Sequence, residues 1–197
     1  MVIEDLLFSF GAEIIDYEKN EMIFREEEYP FYYFQIKKGG VKLNNYNENG
    51  KEFIQHIFSD GECFGESNLF VNLPYPINAI STKKSSIIRT AKSDFLNLIA
   101  ANPDVLSKIN QCLAERMYEK YITLYNLSFQ HSMDRLKLFL DYLKSSHNDK
   151  TLYSFQIPMT RQQLASLTGL CVETVIRTIK NMEKQEMVRI QNGKIFY

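Results

Sequence analysis

"TRQQLASLTGLCVETVIRTIKNMEKQEMVRIQNGKIFY", residues 160–197, is the stretch whose pattern decides the fold of this chain. Thr160 and, three residues later, Gln163 match a capping box, which predicts the start of a helix. Ala165 is small enough to let a second helix cross closely, and Gly169 supplies the backbone freedom of a tight turn. The first part of the stretch therefore predicts a helix, a short turn and another helix.

The rest of the stretch predicts the second helix and a small hairpin. Val175, Ile179 and Met182 recur at helical spacing, which indicates the buried face of a helix. Asn192-Gly193 lies between two short runs of strand-forming residues and is a strong signal for a two-residue hairpin turn. Together these elements predict a C-terminal winged helix-turn-helix.

The solvent face of the second helix carries side chains that suit the reading of base pairs. Arg177 can donate two hydrogen bonds to guanine, and Glu173 can accept one from cytosine. Val172 and Ile176 complete the predicted base-reading set. Glu173 and Arg177 are four residues apart, so they can also form a helical ion pair that adds only a few tenths of a kcal/mol. The surrounding motif favours base contact.

Contacts to the DNA backbone are expected near the same helices. Residues 151–197 carry six Lys or Arg and three Asp or Glu, whereas the whole chain has a net charge of −1. This basic excess suits a polyanion but is too small to establish nucleic-acid binding by itself. The candidates for phosphate contact are Arg161, Gln162, Thr174 and Lys180.

The first hundred residues have a different pattern, that of short strands separated by turns. The predicted strands are "EMIFRE" (21–26), "YYFQIKKG" (32–39), "GVKLNNY" (40–46), "EFIQHIF" (52–58), "INAISTK" (77–83) and "SSIIRTA" (85–91). Asn49-Gly50 predicts a type I′ hairpin turn. The pattern predicts an antiparallel, jelly-roll-like β-roll, so the fold class is α+β.

A helix of about 25 residues is predicted between these two regions. Its apolar stripe consists of Ile109, Leu113, Met117, Tyr121, Leu124 and Leu127. The stripe either packs on its own domain or pairs with another chain, and the length of the helix favours pairing. The periodicity breaks at "FQHSMD", so a hinge is expected near His131.

At this point the chain resembles the Crp-Fnr family of bacterial transcription regulators, of the cyclic-AMP receptor protein and fumarate-nitrate regulator type. The resemblance rests on "GGVKLNNYNENGKEFIQHIFSDGECFGESNLF", on the long helix and on "TRQQLASLTGLCVETVIRTIKNMEKQEMV", in this order. It implies a cyclic-nucleotide-binding-like domain at 1–100, a dimerisation helix and hinge at 101–130 and a DNA-binding domain at 131–197. It also implies a homodimer on pseudo-palindromic double-stranded DNA, with RNA polymerase as a further partner.

The family's E-x-x-x-R reading motif falls on Glu173 and Arg177. Val172 resembles the fumarate-nitrate regulator branch, since the cyclic-AMP receptor branch has arginine at that position. Ile176 replaces a serine that is specific to one branch, and it could contact a thymine methyl group. The resemblance thus implies a G·C core in each half-site and leaves the flanking bases open.

The loop "GECFGESNLF", residues 61–70, resembles the family's cradle for cyclic AMP. The expected pocket is degenerate and consists of Gly65, Glu66, Ser67, Pro76, Ile77 and Tyr121. Pro76 and Ile77 stand where the family has an Arg-Ser pair for the phosphate, so cyclic AMP is disfavoured as the effector. Lys83, Lys84 and Arg89 are alternative sources of the missing cation.

No cofactor, metal site or catalytic site is expected. The three cysteines, Cys63, Cys112 and Cys171, are dispersed, which predicts reduced thiols and no iron–sulfur cluster. His56 and Cys63 are weak candidates for haem ligation, and oxidation of Cys171 could block DNA contact. No nucleophile and base recur at catalytic spacing, so an enzyme is the third choice.

The second choice is a nucleotide-binding regulatory module that acts through protein–protein interaction. The N-terminus lacks the pattern of a secretory signal and no apolar run is long enough to span a bilayer, so a cytoplasmic protein without a membrane partner is expected.

Overall fold

A computed structural model describes residues 2–145 and 147–197 of the 197-residue chain. The chain forms two compact units, Met1–Met117 and Tyr118–Tyr197. In the described part of the chain, no helix is both long enough and apolar enough to cross a membrane. Helix α4 (Pro103–Ser128) begins in the first unit and ends in the second.

The first unit is built mainly from strands. Its helices are α1 (Glu4–Ser9), α2 (Glu66–Val71) and α3 (Lys92–Ala101), followed by α4 (Pro103–Ser128). Its strands are β1 (Glu13–Tyr17), β2 (Met22–Phe24), β3 (Tyr32–Lys38), β4 (Val41–Tyr46), β5 (Glu52–Phe58), β6 (Cys63–Phe64), β7 (Asn78–Ser81) and β8 (Ser85–Ala91).

Within residues 2–117 these strands form two antiparallel sheets, ordered β1-β8-β3-β6 and β2-β7-β4-β5. The predicted β-roll is therefore confirmed.

Successive side chains of β3 and β8 point to opposite faces of their sheet, so this sheet contributes to two separate cores. Phe34 of β3 and Ile87 of β8 face a core that also contains Phe24, Leu43 and Phe58 of the other sheet. The neighbouring residues, Tyr33 and Ile88, belong instead to a core formed with the helices. This second core places the start of α4 against the β-roll, which matters for the effector site.

The helical stripe predicted for α4 divides between two environments. Ile109 is fully buried in the core of the first unit, and Leu113 packs against that core. Tyr121 and Leu124, in the second unit, are exposed. The early part of the stripe thus packs on its own domain, as one of the two alternatives predicts. The later part is exposed to solvent in the single chain.

The second unit is a small helical domain with a hairpin. Its elements after α4 are α5 (Ser132–Ser145), α6 (Arg161–Thr168), α7 (Val172–Lys184), β9 (Arg189–Gln191) and β10 (Lys194–Phe196). They enclose a core that includes Leu136, Leu140, Leu164, Val175, Ile179 and Met182. The predicted winged helix-turn-helix is confirmed.

The local signals at residues 160–197 are confirmed in detail. Both hydrogen bonds of the capping box between Thr160 and Gln163 are present. Gly169 ends α6 in the left-handed region, at φ 69°. Asn192 and Gly193 both have positive φ, as a type I′ turn requires. Before α6, Gln156 forms an isolated antiparallel bridge with Phe196 of β10.

The turn at residues 47–51 was predicted at the right place but with the wrong type. Gly50 has a φ of +71°, whereas Asn49 is absent from the residues with positive φ. The side chain of Asn47 accepts hydrogen bonds from the backbone N–H groups of Asn49 and Lys51 at 3.1 and 2.9 Å. An Asx-type turn at Asn47 therefore replaces the two-residue hairpin turn.

One arginine organises the break between α4 and α5. Arg135 donates from Nη2 to the carbonyl oxygens of Leu127 and Phe129, at 3.2 and 2.5 Å. Its Nη1 donates to the carbonyl oxygen of Thr168 in α6 at 3.2 Å. The last turn of α4 is thus capped by a side chain that also contacts the helix-turn-helix.

Candidate functional site

Helix α7 is anchored to the rest of the second unit by its apolar side chains. Val175, Ile179 and Met182 are buried in the core of the second unit. The side chains on the opposite side are exposed, among them Glu173, Arg177 and Lys180. The helix therefore presents a polar face to solvent on a rigid support, as a reading helix requires.

Glu173 and Arg177 do not neutralise each other. Within residues 2–145 and 147–197 neither side chain has a hydrogen-bond or ion-pair partner. Ile176 is exposed beside them. Val172 is half-buried and packs against the core of the domain, so much of its side chain supports the helix. The groove along this face also includes Ser132 at the start of α5.

The candidates for phosphate contact have different surroundings. The guanidinium of Arg161 donates to the carbonyl oxygen of Gly193, so it ties the start of α6 to the tip of the hairpin. Gln162 and Lys180 are exposed, and Thr174 is half-buried. Gln162 and Lys180 are therefore the most accessible of the four.

The loop that the sequence predicts as an effector cradle lies where β6 meets α2. Gly65 precedes α2 in the left-handed region, at φ 73°. A Cβ atom at this position would lie 3.0 Å from the ring of Phe24 and 3.2 Å from that of Tyr75, so a side chain is excluded by both strain and space. Glu66 follows as the first residue of α2, and it is only 1% exposed.

Arg116 of α4 provides the cation at this cradle. Its Nη1 donates to Glu66 Oε1, and its Nη2 donates to the carbonyl oxygen of Cys63. Its guanidinium carbon also lies 4.9 Å from the centre of the Phe58 ring. Burial is the largest single effect and lowers the pKa of Arg116, but the charges of Glu66, Cys63 and Cys112 and the hydrogen bond to Glu66 together hold this pKa above its usual value.

The sequence contains a signal for this arginine that was missed. Ile109, Cys112, Leu113 and Arg116 follow the spacing i, i+3, i+4, i+7 along α4. Since Ile109 is buried against the β-roll, the same face carries Arg116 to the cradle. The stripe chosen from the sequence ran through Met117 instead, which is exposed.

Two of the three cations expected as alternatives, Lys84 and Arg89, are engaged elsewhere, and Lys83 is exposed. Lys84 pairs with Glu18 at 3.0 Å on the surface. Arg89 donates to Glu13 at 3.0 Å and lies over the ring of Tyr32. Arg116 is the arginine that bonds to Glu66 at this loop, and it was not among the cations expected from the sequence.

The other residues of the expected pocket differ in their exposure and packing. Ser67 and Pro76 are exposed, and Ile77 packs against the core between the two sheets. Tyr121 belongs to the second unit and is exposed on α4. Two buried oxygens in the described residues lack a hydrogen-bond partner here, Glu66 Oε2 and the hydroxyl of Tyr75.

Two cysteines meet beside the cradle. The sulfur atoms of Cys63 and Cys112 are 3.9 Å apart, and neither residue is in a disulfide. These sulfurs and a Glu66 oxygen lie within 4.8 Å of one another, a spacing that a metal ion could bridge. Because Arg116 already neutralises Glu66, the cluster is a thiol pair beside an ion pair.

The remaining candidates for ligation or oxidation, Cys171 and His56, have other surroundings. Cys171 is exposed just before α7, and the ring of His56 packs on that of Phe58 at 4.2 Å.

A β-roll with a cradle, followed by a winged helix with an open polar face, defines a class of ligand-controlled DNA-binding regulators. Residues 14–102 match the family model of the cyclic nucleotide-binding domain. Residues 134–196 match that of the Crp-like helix-turn-helix domain. The first match lies within the first unit, and the second lies within the second unit.

Known proteins place the chain in a family. It is 30% identical, over 172 residues, to the cAMP-activated global transcriptional regulator CRP of Pasteurella multocida, which covers 86% of this chain and 82% of the relative. The chain belongs to the CRP/FNR family of DNA-binding transcription regulators, a family of regulators rather than enzymes.

Two solved structures share the fold across nearly the whole chain. A CooA mutant from Carboxydothermus hydrogenoformans has a TM-score of 0.83 at 17% identity, covering 98% of this chain and 85% of that one. The c-di-GMP responsive regulator CLP of Xanthomonas campestris has a TM-score of 0.79 at 18% identity, covering 96% of this chain and 95% of that one.

Proposed function

We propose that this regulator binds a pseudo-palindromic operator as a homodimer, with α7 of each protomer in the major groove. The observation that carries the proposal is the pair of exposed side chains on α7, Glu173 and Arg177. Neither has a partner among residues 2–145 and 147–197, so their hydrogen-bonding groups are available to bases.

The chemistry of this face favours a G·C core in each half-site. Arg177 donates two hydrogen bonds to guanine O6 and N7, and Glu173 accepts one from the cytosine amino group. Ile176 adds an apolar contact that suits a thymine methyl group, whereas Val172 contributes its exposed edge. Gln162, Thr174 and Lys180 bind phosphates, and Arg161 orients the hairpin toward the same backbone.

The homodimer forms through the exposed apolar face of α4. Tyr118, Tyr121, Leu124 and Tyr125 are all more than half exposed and recur at helical spacing. A second copy of the same helix is the occupant that suits such a face, because identical stripes are self-complementary in a two-fold dimer. The two α7 helices then reach half-sites about 34 Å apart.

The domains follow from this arrangement. Residues 1–100 form the effector domain, 101–130 the dimerisation helix with its hinge near His131, and 131–197 the DNA-binding domain. RNA polymerase and a cytoplasmic location complete the proposal, since a regulator of transcription acts where its DNA is.

The β-roll controls DNA binding without cyclic AMP in the usual mode. Arg116 bonds to Glu66, the carboxylate that in this family's cradle would accept from a ribose hydroxyl. Pro76 and Ile77 offer no charge for a cyclic phosphate. The CRP of Pasteurella multocida is a cAMP-activated regulator, and we propose that this chain differs from it in its response to cyclic AMP.

Selection of bound DNA from a random pool tests the proposal. The purified full-length protein is incubated with the pool, with and without cyclic AMP, and the recovered sequences are compared. We expect a palindrome with a G·C core under both conditions. Enrichment that requires cyclic AMP would contradict the reading of the cradle, and no enrichment in either condition would contradict the reading of α7.

A further inference from the structure

Cys63 and Cys112 form a contact between two elements that are far apart in sequence. Cys63 is the first residue of β6, and Cys112 lies 49 residues later in α4. Their sulfur atoms are 3.9 Å apart, so an approach of about 2 Å would bring them to the length of a disulfide bond.

The two thiols differ in accessibility and in acidity. Cys112 is half-buried, whereas Cys63 is only 2% exposed. A hydrogen bond from the Cys63 thiol lowers the pKa of Cys112 to about 7, and Arg116 acts in the same direction against the effect of burial. The same hydrogen bond and burial raise the pKa of Cys63 far above its usual value.

We propose that Cys63 and Cys112 are an oxidation site for small hydroperoxides, at which Cys112 is attacked first and Cys63 then closes an intramolecular disulfide. Cys112 is the one that a small neutral oxidant reaches from solvent. Cys63 lies behind it, within one sulfur contact, and is therefore the resolving thiol.

The chemistry balances in two steps. The thiolate of Cys112 attacks one peroxide oxygen, the O–O bond breaks, and the leaving hydroxide or alkoxide takes up the proton that Cys112 had released. This gives a sulfenic acid on Cys112 and water or an alcohol. The Cys63 sulfur then attacks the Cys112 sulfur, the S–O bond breaks, and the departing hydroxide leaves as water with the Cys63 proton. Two electrons pass from the sulfurs to the peroxide.

The neighbours of the pair support this chemistry. Arg116 Nη2 lies 3.7 Å from Cys63 Sγ, so a fixed positive charge stands beside the sulfur atoms. Thiolates are stabilised next to arginine. Arg116 also neutralises Glu66, whose negative charge would otherwise disfavour ionisation of a thiol.

The disulfide would act on the effector cradle. Cys63 precedes Gly65 by two residues, and Cys112 lies one helical turn before Arg116. Both sides of the ion pair between Arg116 and Glu66 are thus tied together when the disulfide forms. We expect oxidation to change operator affinity by fixing the cradle in one state.

Peptide mapping of the intact protein tests the proposal directly. Full-length protein is treated with hydrogen peroxide, alkylated, digested and analysed by mass spectrometry. We expect a linked peptide joining Cys63 to Cys112, which disappears after treatment with dithiothreitol. The control is Cys171→Ser, which removes the exposed cysteine and should leave the linkage intact.

Two further variants separate the roles of the thiols. In Cys63→Ala the resolving thiol is gone, so dimedone should label a sulfenic acid on Cys112. In Cys112→Ala we expect no dimedone label on Cys63. Peroxide treatment that modifies Cys171 in preference, or that yields only disulfides between chains, would overturn the proposal. So would a stoichiometric metal ion that must be chelated before the thiols react.

Discussion

Arg116→Ala would remove the cation from the cradle and leave a buried carboxylate behind. Glu66 is 1% exposed, and its Oε1 accepts from Arg116. The carbonyl oxygen of Cys63 loses the same donor, and Phe58 loses the guanidinium over its ring. The variant therefore tests whether the ion pair holds the cradle together.

The expected loss follows from the burial of the pair. Removing one partner of a buried ion pair costs about 3–5 kcal/mol, because the other charge is left without compensation. Arg89→Ala is the matched control, since Arg89 also pairs with a glutamate, Glu13, but that carboxylate is 54% exposed. Exposed pairs contribute about 0–1 kcal/mol, so the two variants should differ by at least about 2 kcal/mol.

Urea unfolding followed by circular dichroism measures the difference, since the chain contains no tryptophan for a fluorescence signal. Hydrogen exchange of β-roll peptides assigns the loss to the first unit. Arg116→Lys should be intermediate, because an ammonium group keeps the charge but cannot reproduce the planar fork. Equal stabilities for Arg116→Ala and Arg89→Ala would refute the reasoning.

Four other outcomes are expected. Arg177→Ala should weaken binding to the cognate operator by about 1–3 kcal/mol and reduce the discrimination at one G·C pair, as measured by fluorescence anisotropy. Lys180→Ala should instead weaken binding to all DNA sequences alike and reduce the slope of log affinity against log salt concentration by about 1. Leu124→Asp, at a position 64% exposed in the protomer, should give a folded monomer in analytical ultracentrifugation and abolish tight operator binding; a dimer would contradict the role of α4. Arg135→Ala should lower the free energy of unfolding by about 1.5–3 kcal/mol, because it removes charged hydrogen bonds to three carbonyl oxygens. The rate of Cys112 alkylation should increase through pH 7 as the thiolate forms. In Cys63→Ala the pH midpoint of this rate should rise, because the hydrogen bond that lowers the pKa of Cys112 is missing, although Arg116 and Glu66 still face the sulfur. An unchanged midpoint would refute the role of this hydrogen bond.

Local signals predicted the winged helix best. The capping box at Thr160 and the turn at Asn192-Gly193 depend on neighbours within three residues, so their geometry can be predicted from the local sequence. At Asn49-Gly50 the same dipeptide signal failed on turn type, because the Asn47 side chain competes for the backbone N–H groups.

The cradle could be located from the sequence but not completed. Its loop was identified from Gly65 and Glu66, yet Arg116 lies 50 residues from Glu66 in the chain. Pairing over such a separation depends on which face of α4 packs against the β-roll, and two overlapping stripes, through Met117 or through Arg116, fit the helical period. Met117 is 55% exposed whereas Arg116 bonds to Glu66, and this difference is visible only in the folded chain.

The ion pair formed by Arg116 and Glu66 would compete with any anion that binds at Arg116. An anionic effector that seeks Arg116 must first displace a carboxylate tethered at high effective concentration. If opening the pair costs about 3–5 kcal/mol, the apparent affinity of any such effector falls by about 10²–10⁴-fold relative to an open cradle. For an anionic effector under the proposed function, the concentration needed for a response would therefore depend on this one ion pair as well as on the contacts of the effector itself.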